Sequence, residues 1–538
     1  MPSHAHRVAV LILVVTIAAA VGLAYHFRFI CDDAFISFTY ARSLVRGEGL
    51  TWFGDRVEGY TNFLWVLWIA LGMKLHIEPI RFAWGGGLAS MLVTLVVTNA
   101  IAIARTQRAH VGLFAVAMLA TNYTFLCFAT SGLETMLQTA LLAAAWLDVE
   151  RSSDDRSIAR YARASTLLGL AILTRLDSVV LASVLCVATL IRARPSHRRE
   201  WAAALAPGVV LVGAWFAFKL AYYGDLLPNT FHAKVGRGAA FGVGLQHAAR
   251  FLHWYGLWPC LLVGAVLAAT GRRLRALALP AAMVATWCAY VVLVGGDFME
   301  FRFFVPAMPA LFVLIAEMIC TEVEKLRLVR PLVTGSLVTG VLAPLSAVHA
   351  NTFTGVTEDR TLDSIQSLAT LYGKVHGDWW RAGTGLGRAL RGTGATISCN
   401  GAGAIPFYSD LHTVDQLGLT DAWVARNGVK PGDEYRRPGH QRFAPLSYLE
   451  QRKVTFVLGS PRIVRRGHLR SPEARKLVDG WLTSALGPAA VPVSRLVLVA
   501  IPIDEKDSVV GWYLTPSPAV EQRIVEQRWE VIDLRVQP

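Results

Sequence analysis

Two adjacent carboxylates, Asp32 and Asp33, follow directly on an apolar run that begins at Val8 and ends near Ala24. Neighbouring carboxylates repel each other, and beside hydrocarbon they also lose solvation, so one of the pair acquires a raised pKa and can take a proton. That is what a general base needs. Capping is the other use open to them, since Asp is favoured at a helix N-terminus and Ala34 to Val45 reads as a helix. One Asp is enough for a cap.

Further polar segments interrupt the apolar runs. In Tyr223 to Lys234, Asn229, His232 and Lys234 offer amide, imidazole and ammonium donors, a set suited to a phosphate, with interfacial anchoring through Lys234 as the alternative. Arg302 lies five residues after Asp297 and either holds an anion at the membrane surface or pairs with Asp297 or Glu300. Arg175 and Asp177 flank one turn and either pair with each other or serve a site. Glu58, Tyr60 and Asn62 stand in Val57 to Asn62, and Glu134 closes Ser131 to Glu134, where it also suits the dipole of the next helix.

Lipid-spanning elements must position these residues. The chain has 538 residues, of which 54% are hydrophobic and 17% charged, and its mean hydropathy is +0.44. A helix needs about 20 apolar residues to cross a bilayer, and such runs recur from Val8 to about Ala350. The net charge of +14 sits mostly in short arginine clusters between those runs. It therefore reads as topology, and no nucleic-acid partner is expected.

Placing the clusters at Arg105/Arg108, Arg151 to Arg163, Arg192 to Arg199, Arg272 to Arg275 and Lys325 to Arg330 in the cytoplasm gives about eleven spans with a cytoplasmic N-terminus. They fall at about 8–29, 83–104, 111–129, 133–149, 163–174, 178–192, 201–221, 253–270, 276–294, 304–320 and 331–350. The first reads as a retained signal anchor. Thr61 to His76 is left over, and with Trp65 and Trp68 near its start it suits a helix lying in the interface. This topology used only basic clusters and apolar runs. It nevertheless places every polar segment named above on the outer face, which suggests a site there.

The expected fold class is a polytopic α-helical membrane protein, residues 1–350 with a first outer loop at 30–82, followed by a soluble extracytoplasmic α/β domain at 351–538. Strands are expected at 395–398, 454–458, 496–503 and 509–514, and a helix at 361–375. Gly401-Ala402-Gly403 reads as a tight turn, because a lone GxG is a weak dinucleotide signal. Trp379, Trp380, Tyr408 and Trp512 read as packing, or else as contacts for a glycan. The seven cysteines show no CxxC spacing and mostly follow apolar runs, while Cys31 and Cys399 share a side without a supported pairing.

Taken together, Cys31-Asp32-Asp33-Ala34-Phe35-Ile36-Ser37, Arg42, Gly47 to Leu50 and Arg56 to Trp65 resemble the first outer loop of bacterial GT-C glycosyltransferases. Within that superfamily the chain is most similar to the group of the mycobacterial terminal arabinofuranosyltransferases. Ser131 to Glu134, Leu173 to Arg175, Pro228 to Thr230 and Gly295 to Asp297 extend the resemblance across the membrane half. Where the family prefers Pro-Glu-Gly, this chain has Leu176-Asp177-Ser178, which leaves the role of Asp177 open.

The resemblance implies a polyprenyl-phosphate-linked pentose or hexose as donor and a cell-envelope glycan or glycolipid as acceptor. It implies a catalytic aspartate at Asp32 or Asp33, in a multi-pass protein of the bacterial inner membrane. Arg175, Asn229, His232, Lys234 and Arg302 are then expected at the donor phosphate, and Glu58, Tyr60, Asn62, Glu134, Asp177 and Asp297 around the substrates. Mg²⁺ or Mn²⁺ bridging carboxylate and phosphate fits such chemistry, but no dedicated cage is visible, so the metal stays open. A flippase for lipid-linked sugars and a non-catalytic assembly scaffold are the rival readings; transporters tend to show repeats and midplane polar residues, and here the polar residues gather at one face.

Overall fold

The computed structural model describes residues 4–155, 157–193, 198–234, 241–259, 274–326, 331–372, 378–430, 440–474 and 496–533, together with 262, 266, 476 and 478. Helix α1 (His4–His26) is apolar along its length, and Val8, Leu11, Ile12, Val14 and Val15 face outward, as side chains meant for lipid do. The chain then turns through Phe29 and Ile30 into α2 (Asp32–Val45), with Cys31 as N-cap. Its two aspartates fill the first turn, where they complement the helix dipole. Helix α3 (Phe63–Lys74) has only 12 residues, about 18 Å of helix, too short to cross a bilayer. It is the leftover apolar segment that the charge pattern assigned to the interface.

Next come α4 (Pro79–Thr106), α5 (Ala109–Ala120), α6 (Tyr123–Phe128), α7 (Thr135–Asp155), α8 (Ile158–Thr174), α9 (Val179–Arg192) and α10 (Arg198–Tyr223). After them lie α11 (Asn229–Lys234), α12 (Phe241–Trp254), α13 (Leu274–Leu293), α14 (Met308–Leu326) and α15 (Pro331–Thr352). Among the described residues, five helices are long and apolar enough to cross a membrane: His6–His26, Pro79–Thr106, Arg198–Tyr223, Ala276–Leu293 and Arg302–Cys320. A helix lies on every other predicted span too, except that at about 253–270, where most residues fall outside the described ones. So do Arg156, Arg194, Cys260, Arg272, Arg273, Arg327 and Arg330. The span expected at 111–129 is broken, because Asn122 accepts from the Phe125 amide and starts α6 afresh.

Beyond α15 come α16 (Ile365–Tyr372) and α17 (Asp378–Leu390), and then a seven-stranded sheet. Its strands are β1 (Ile397–Cys399), β2 (Thr413–Asp415), β3 (Phe456–Gly459), β4 (Ile463–Arg465), β5 (Val497–Pro502), β6 (Asp507–Tyr513) and β7 (Glu530–Asp533), in the order β2-β1-β3-β6-β5-β7 with β4 also on β6. β1 is parallel to β2 and β3, and the remaining pairings are antiparallel. Alternate residues serve opposite faces: Leu498 and Ala500 join a core with Tyr448 and Leu449, while Val499 and Ile501 pack with Leu386 and Leu390 of α17. Trp512 is 1% exposed and belongs to the core.

The sheet region sits directly on the segment between α1 and α4. Trp52 donates to the Thr413 carbonyl at 2.9 Å and Arg42 to the Phe407 carbonyl at 2.6 Å. Phe407 and Tyr408 pack against Phe35, and Asn229 donates to the carbonyls of Gly418 and Leu419. The helix bundle, the α1–α4 segment and the sheet region therefore meet at one end of the molecule.

Candidate active site

The two aspartates of the opening pair face different ways. Asp32 is 4% exposed, and both its carboxylate oxygens are taken: Oδ2 accepts from the Gly403 amide at 3.1 Å and Oδ1 from the Ala404 amide at 2.7 Å. It caps a helix after all. The helix is α18 (Ala404–Ser409), 371 residues away along the chain, and not its own. Burial pushes the Asp32 carboxyl up to about 7, against the two amides, which lower it; the charge of Asp33 adds to the rise. Gly401-Ala402-Gly403, expected as a turn, is the loop that delivers those amides.

Asp33 is partly exposed and faces charge. Burial raises its carboxyl above the ordinary range, and Arg302 and then Lys234 oppose that rise, while Asp297 and Glu134 add to it. Lys234, at the end of α11, is accessible. The surrounding protein still strips enough water to hold its ammonium below the usual lysine range, against Asp33 and Asp297, which favour the charge. Asp33, Lys234, Arg302, Asp297, Arg175 and Glu134 thus share one polar cluster, built from five segments remote in sequence.

Within that cluster the arginines are held. Arg302 Nε lies 2.6 Å from Asp297 Oδ2. Arg175 Nη1 lies 2.6 Å from Glu134 Oε1 and Nη2 lies 2.7 Å from Asp177 Oδ2. Asn62 donates to the other Glu134 oxygen at 2.6 Å, and Gln138 donates to Asp177 at 2.8 Å. Both pairings foreseen as alternatives, Arg175 with Asp177 and Arg302 with Asp297, therefore exist inside the cluster. Asp33 and Lys234 are different: among the described residues neither takes part in an ion pair within 4 Å.

Other expected site residues have other partners. His232 Nε2 lies 2.9 Å from Asp225, which also meets Arg426 at 2.6 Å, so the imidazole already holds a carboxylate partner. Asn229 spends its amide on the 418–419 carbonyls. Glu58 pairs with Lys219 at 2.9 Å, and burial pushes its carboxyl up to about 7 against the pull of that lysine. Tyr60 shares a 3.0 Å hydrogen bond with Tyr223. These four engage partners outside the cluster. The reading of polar residues by segment could not separate the cluster from its surroundings, because all of them lie on the same few loops.

Sequence reasoning missed Lys219, Gln138 and the Glu300–His349 pair, which is fully buried at 2.7 Å. A lysine inside the apolar run that fills α10 after Glu200 was a readable signal, since such a charge needs a partner. Glu300 was weighed only as a partner for Arg302; it instead binds His349 and the Ile365 amide, tying α15 to the segment that follows it. Cys31 and Cys399 are both free and buried.

Among the described residues, no group of three or more His, Cys, Asp or Glu side chains could hold a metal ion. The cluster's carboxylates Asp297, Glu134 and Asp177 are each bound by arginine. That donor set suits an anion better than a resident divalent cation.

This architecture matches solved membrane glycosyltransferases. ArnT from Cupriavidus metallidurans, in a crystal structure bound to undecaprenyl phosphate, superposes with a TM-score of 0.56 at 15% identity, covering 93% of this chain and 97% of that one. The Archaeoglobus fulgidus oligosaccharyltransferase, in complex with Zn and sulfate, gives 0.51 at 10% identity, covering 94% and 73%. The chain therefore shares the fold of these two proteins.

In sequence the chain is similar to the terminal beta-(1->2)-arabinofuranosyltransferase of Mycobacterium tuberculosis, 27% identical over 342 residues, which are 55% of this chain and 53% of the relative. The enzyme of that name from Corynebacterium glutamicum is 27% identical over 321 residues, 51% and 46%. The chain spans about half the length of the curated relatives it matches. Residues 372–499 match a family described as a domain of unknown function (DUF8728).

Proposed function

We propose that the protein transfers a sugar from a polyprenyl-phosphate donor to a hydroxyl of a cell-envelope glycan or glycolipid, at the outer face of the bacterial inner membrane. The observation that carries this reading is the opposition of Asp33 to Lys234 and Arg302 in one partly dehydrated cluster. Asp33 accepts the proton of the acceptor hydroxyl as its oxygen attacks the anomeric carbon. The bond from that carbon to the phosphate oxygen breaks, and the phosphate leaves with the electron pair.

Lys234 receives the developing phosphate charge directly, since it has no fixed carboxylate partner, and Arg302 and Arg175 add to the positive field. A single displacement of this kind inverts the anomeric configuration. The terminal arabinofuranosyltransferase relatives and the undecaprenyl phosphate in the ArnT structure support the donor class. The cluster at the end of the helices where the sheet region docks supports an extracytoplasmic site.

The test is transfer from a radiolabelled polyprenyl-phosphate pentose or hexose in membranes holding the full chain. Wild-type membranes label the acceptor, and Asp33→Asn membranes with equal protein do not. Full labelling by Asp33→Asn, or movement of the lipid across the bilayer without transfer, refutes the reading.

A further inference from the structure

The DUF8728 region supplies the two backbone amides of Gly403 and Ala404 that hold Asp32, and Asp32 precedes Asp33 in the same helical turn. We propose that Asp32 is a positioning residue through which the soluble region sets the orientation of the Asp33 carboxylate, so that this region is a structural half of the catalytic centre. The inference rests on the glycosyltransferase reading above.

The geometry is specific on both sides. A Cβ on Gly403 would stand 2.0 Å from the Asp32 carbonyl oxygen and 2.5 Å from its carboxyl carbon, so only glycine lets the two backbones approach this closely. At Gly401 the close neighbour is a ring and not backbone: a Cβ there would meet Trp379 at 2.1 Å. The loop is thereby pressed between α17 and α2. Further ties run in parallel: Arg42 and Arg46 reach Asp410 at 3.1 and 2.9 Å, and Arg42 donates to the Phe407 carbonyl. Ala402 and Ala404 join the same apolar core as Phe29, Ile30 and Phe35. Helices α2 and α18 are packed as one block, and the Asp32 bonds are at the end nearest Asp33.

An aspartate that positions and an aspartate that takes the proton differ in what an amide does in their place. Asparagine keeps one oxygen for the Gly403 or Ala404 amide but accepts no proton. For Asp32 the expected series in kcat is therefore graded, with Asp32→Asn reduced about tenfold and Asp32→Ala about a hundredfold, and with KM for the donor changed less than threefold. Asp33→Asn and Asp33→Ala are expected to be equally inactive.

The second measurement reaches Asp32 from the other side. Gly403→Ala lies outside the polar cluster, and it is expected to lower kcat as Asp32→Asn does. The double variant is expected to be no slower than the slower single one, because both changes break one contact.

Equal inactivity of Asp32→Asn and Asp32→Ala overturns the proposal in favour of a second base. Multiplying effects in the double variant, or full kcat in Gly403→Ala, overturn the coupling. If Gly403→Ala does not fold, the graded Asn/Ala series alone decides. Wild-type membranes that transfer no sugar point instead to failure of the glycosyltransferase reading. In that case non-additive shifts of melting temperature across the same four proteins still report the contact, and additive shifts refute it.

Discussion

The molecule buries two groups of charges at opposite ends of its helices, and they are built differently. At the end remote from Asp33, Arg105 binds Glu317 at 2.5 Å and Glu150 at 2.6 Å, and Arg192 reaches the other oxygen of Glu150 at 2.9 Å. Arg163 joins Asp148 nearby. Glu317 stands 15 residues beyond Arg302, about 22 Å further along the helix. This group is closed: Arg105 also donates to the Ala276 carbonyl, and Trp146 donates to Glu150. At the other end, arginine–carboxylate pairs of the same kind surround Asp33 and Lys234, which keep no fixed partner among the described residues. A saturated network is a staple, and an unsaturated one has room for a ligand.

That contrast can be broken in graded ways. The largest effect is expected from Asp33→Asn, which should lower transfer by about 10³-fold with little change in melting temperature, read from initial rates in membranes and from thermal unfolding in detergent. Arg105→Met should do the reverse, destabilising the fold by about 3–5 kcal/mol while leaving transfer per folded molecule near wild type, because it strips buried carboxylates of their arginine.

Lys234→Ala should slow transfer by about 10²-fold, and Lys234→Arg should restore part of it by returning a phosphate partner. If Lys234→Ala were as harmless as a surface substitution, the distinction between open and closed networks would fall.

A smaller effect concerns pH. The carboxyls of Asp32 and Glu58 are raised to about 7 and that of Asp415 to about 6, in each case by burial first. A carboxyl raised in the folded state contributes stability that is complete below its unfolded pKa, near 4, and lost as pH climbs through the folded value. Melting temperature should therefore fall between pH 5 and pH 8, and Asp32→Asn should flatten part of that slope. Smallest of all, His232→Ala should change transfer less than threefold, since its partner Asp225 retains Arg426 at a partly exposed position.

Much of the membrane half was legible because lipid imposes length and apolarity on each span and charge on each cytoplasmic turn. The long apolar α1, the shortness of α3 and the gathering of polar loops at one end all followed from that. Strands β3, β5 and β6 were legible through their apolar runs. Strands β2, β4 and β7 were not, since each holds only one or two apolar residues in a row. The helix expected at 361–375 is shorter, Ile365–Tyr372, and residues 373–377 lie outside the described ones.

The different surroundings of Asp32 and Asp33 could not be read at all. They depend on amides 371 residues away, and backbone donors leave no signature in side-chain spacing. Asn229 and His232 were drawn toward the phosphate by their chemistry, when contacts with 418–419 and with Asp225 had already claimed them.

The Lys219–Glu58 pair has a consequence for biosynthesis. Lys219 is fully buried in α10, with its ammonium against Glu58 and the Trp215 ring. An α10 that enters the bilayer before the 57–62 loop has closed over it carries an uncompensated ammonium inside an apolar segment, a state that membranes disfavour. Glu58 emerges from the ribosome long before Lys219, so its carboxylate is waiting when the helix arrives. Removing Glu58 therefore leaves the Lys219 ammonium buried without its carboxylate, a change expected to lower the yield of folded protein more than the activity of the molecules that do fold.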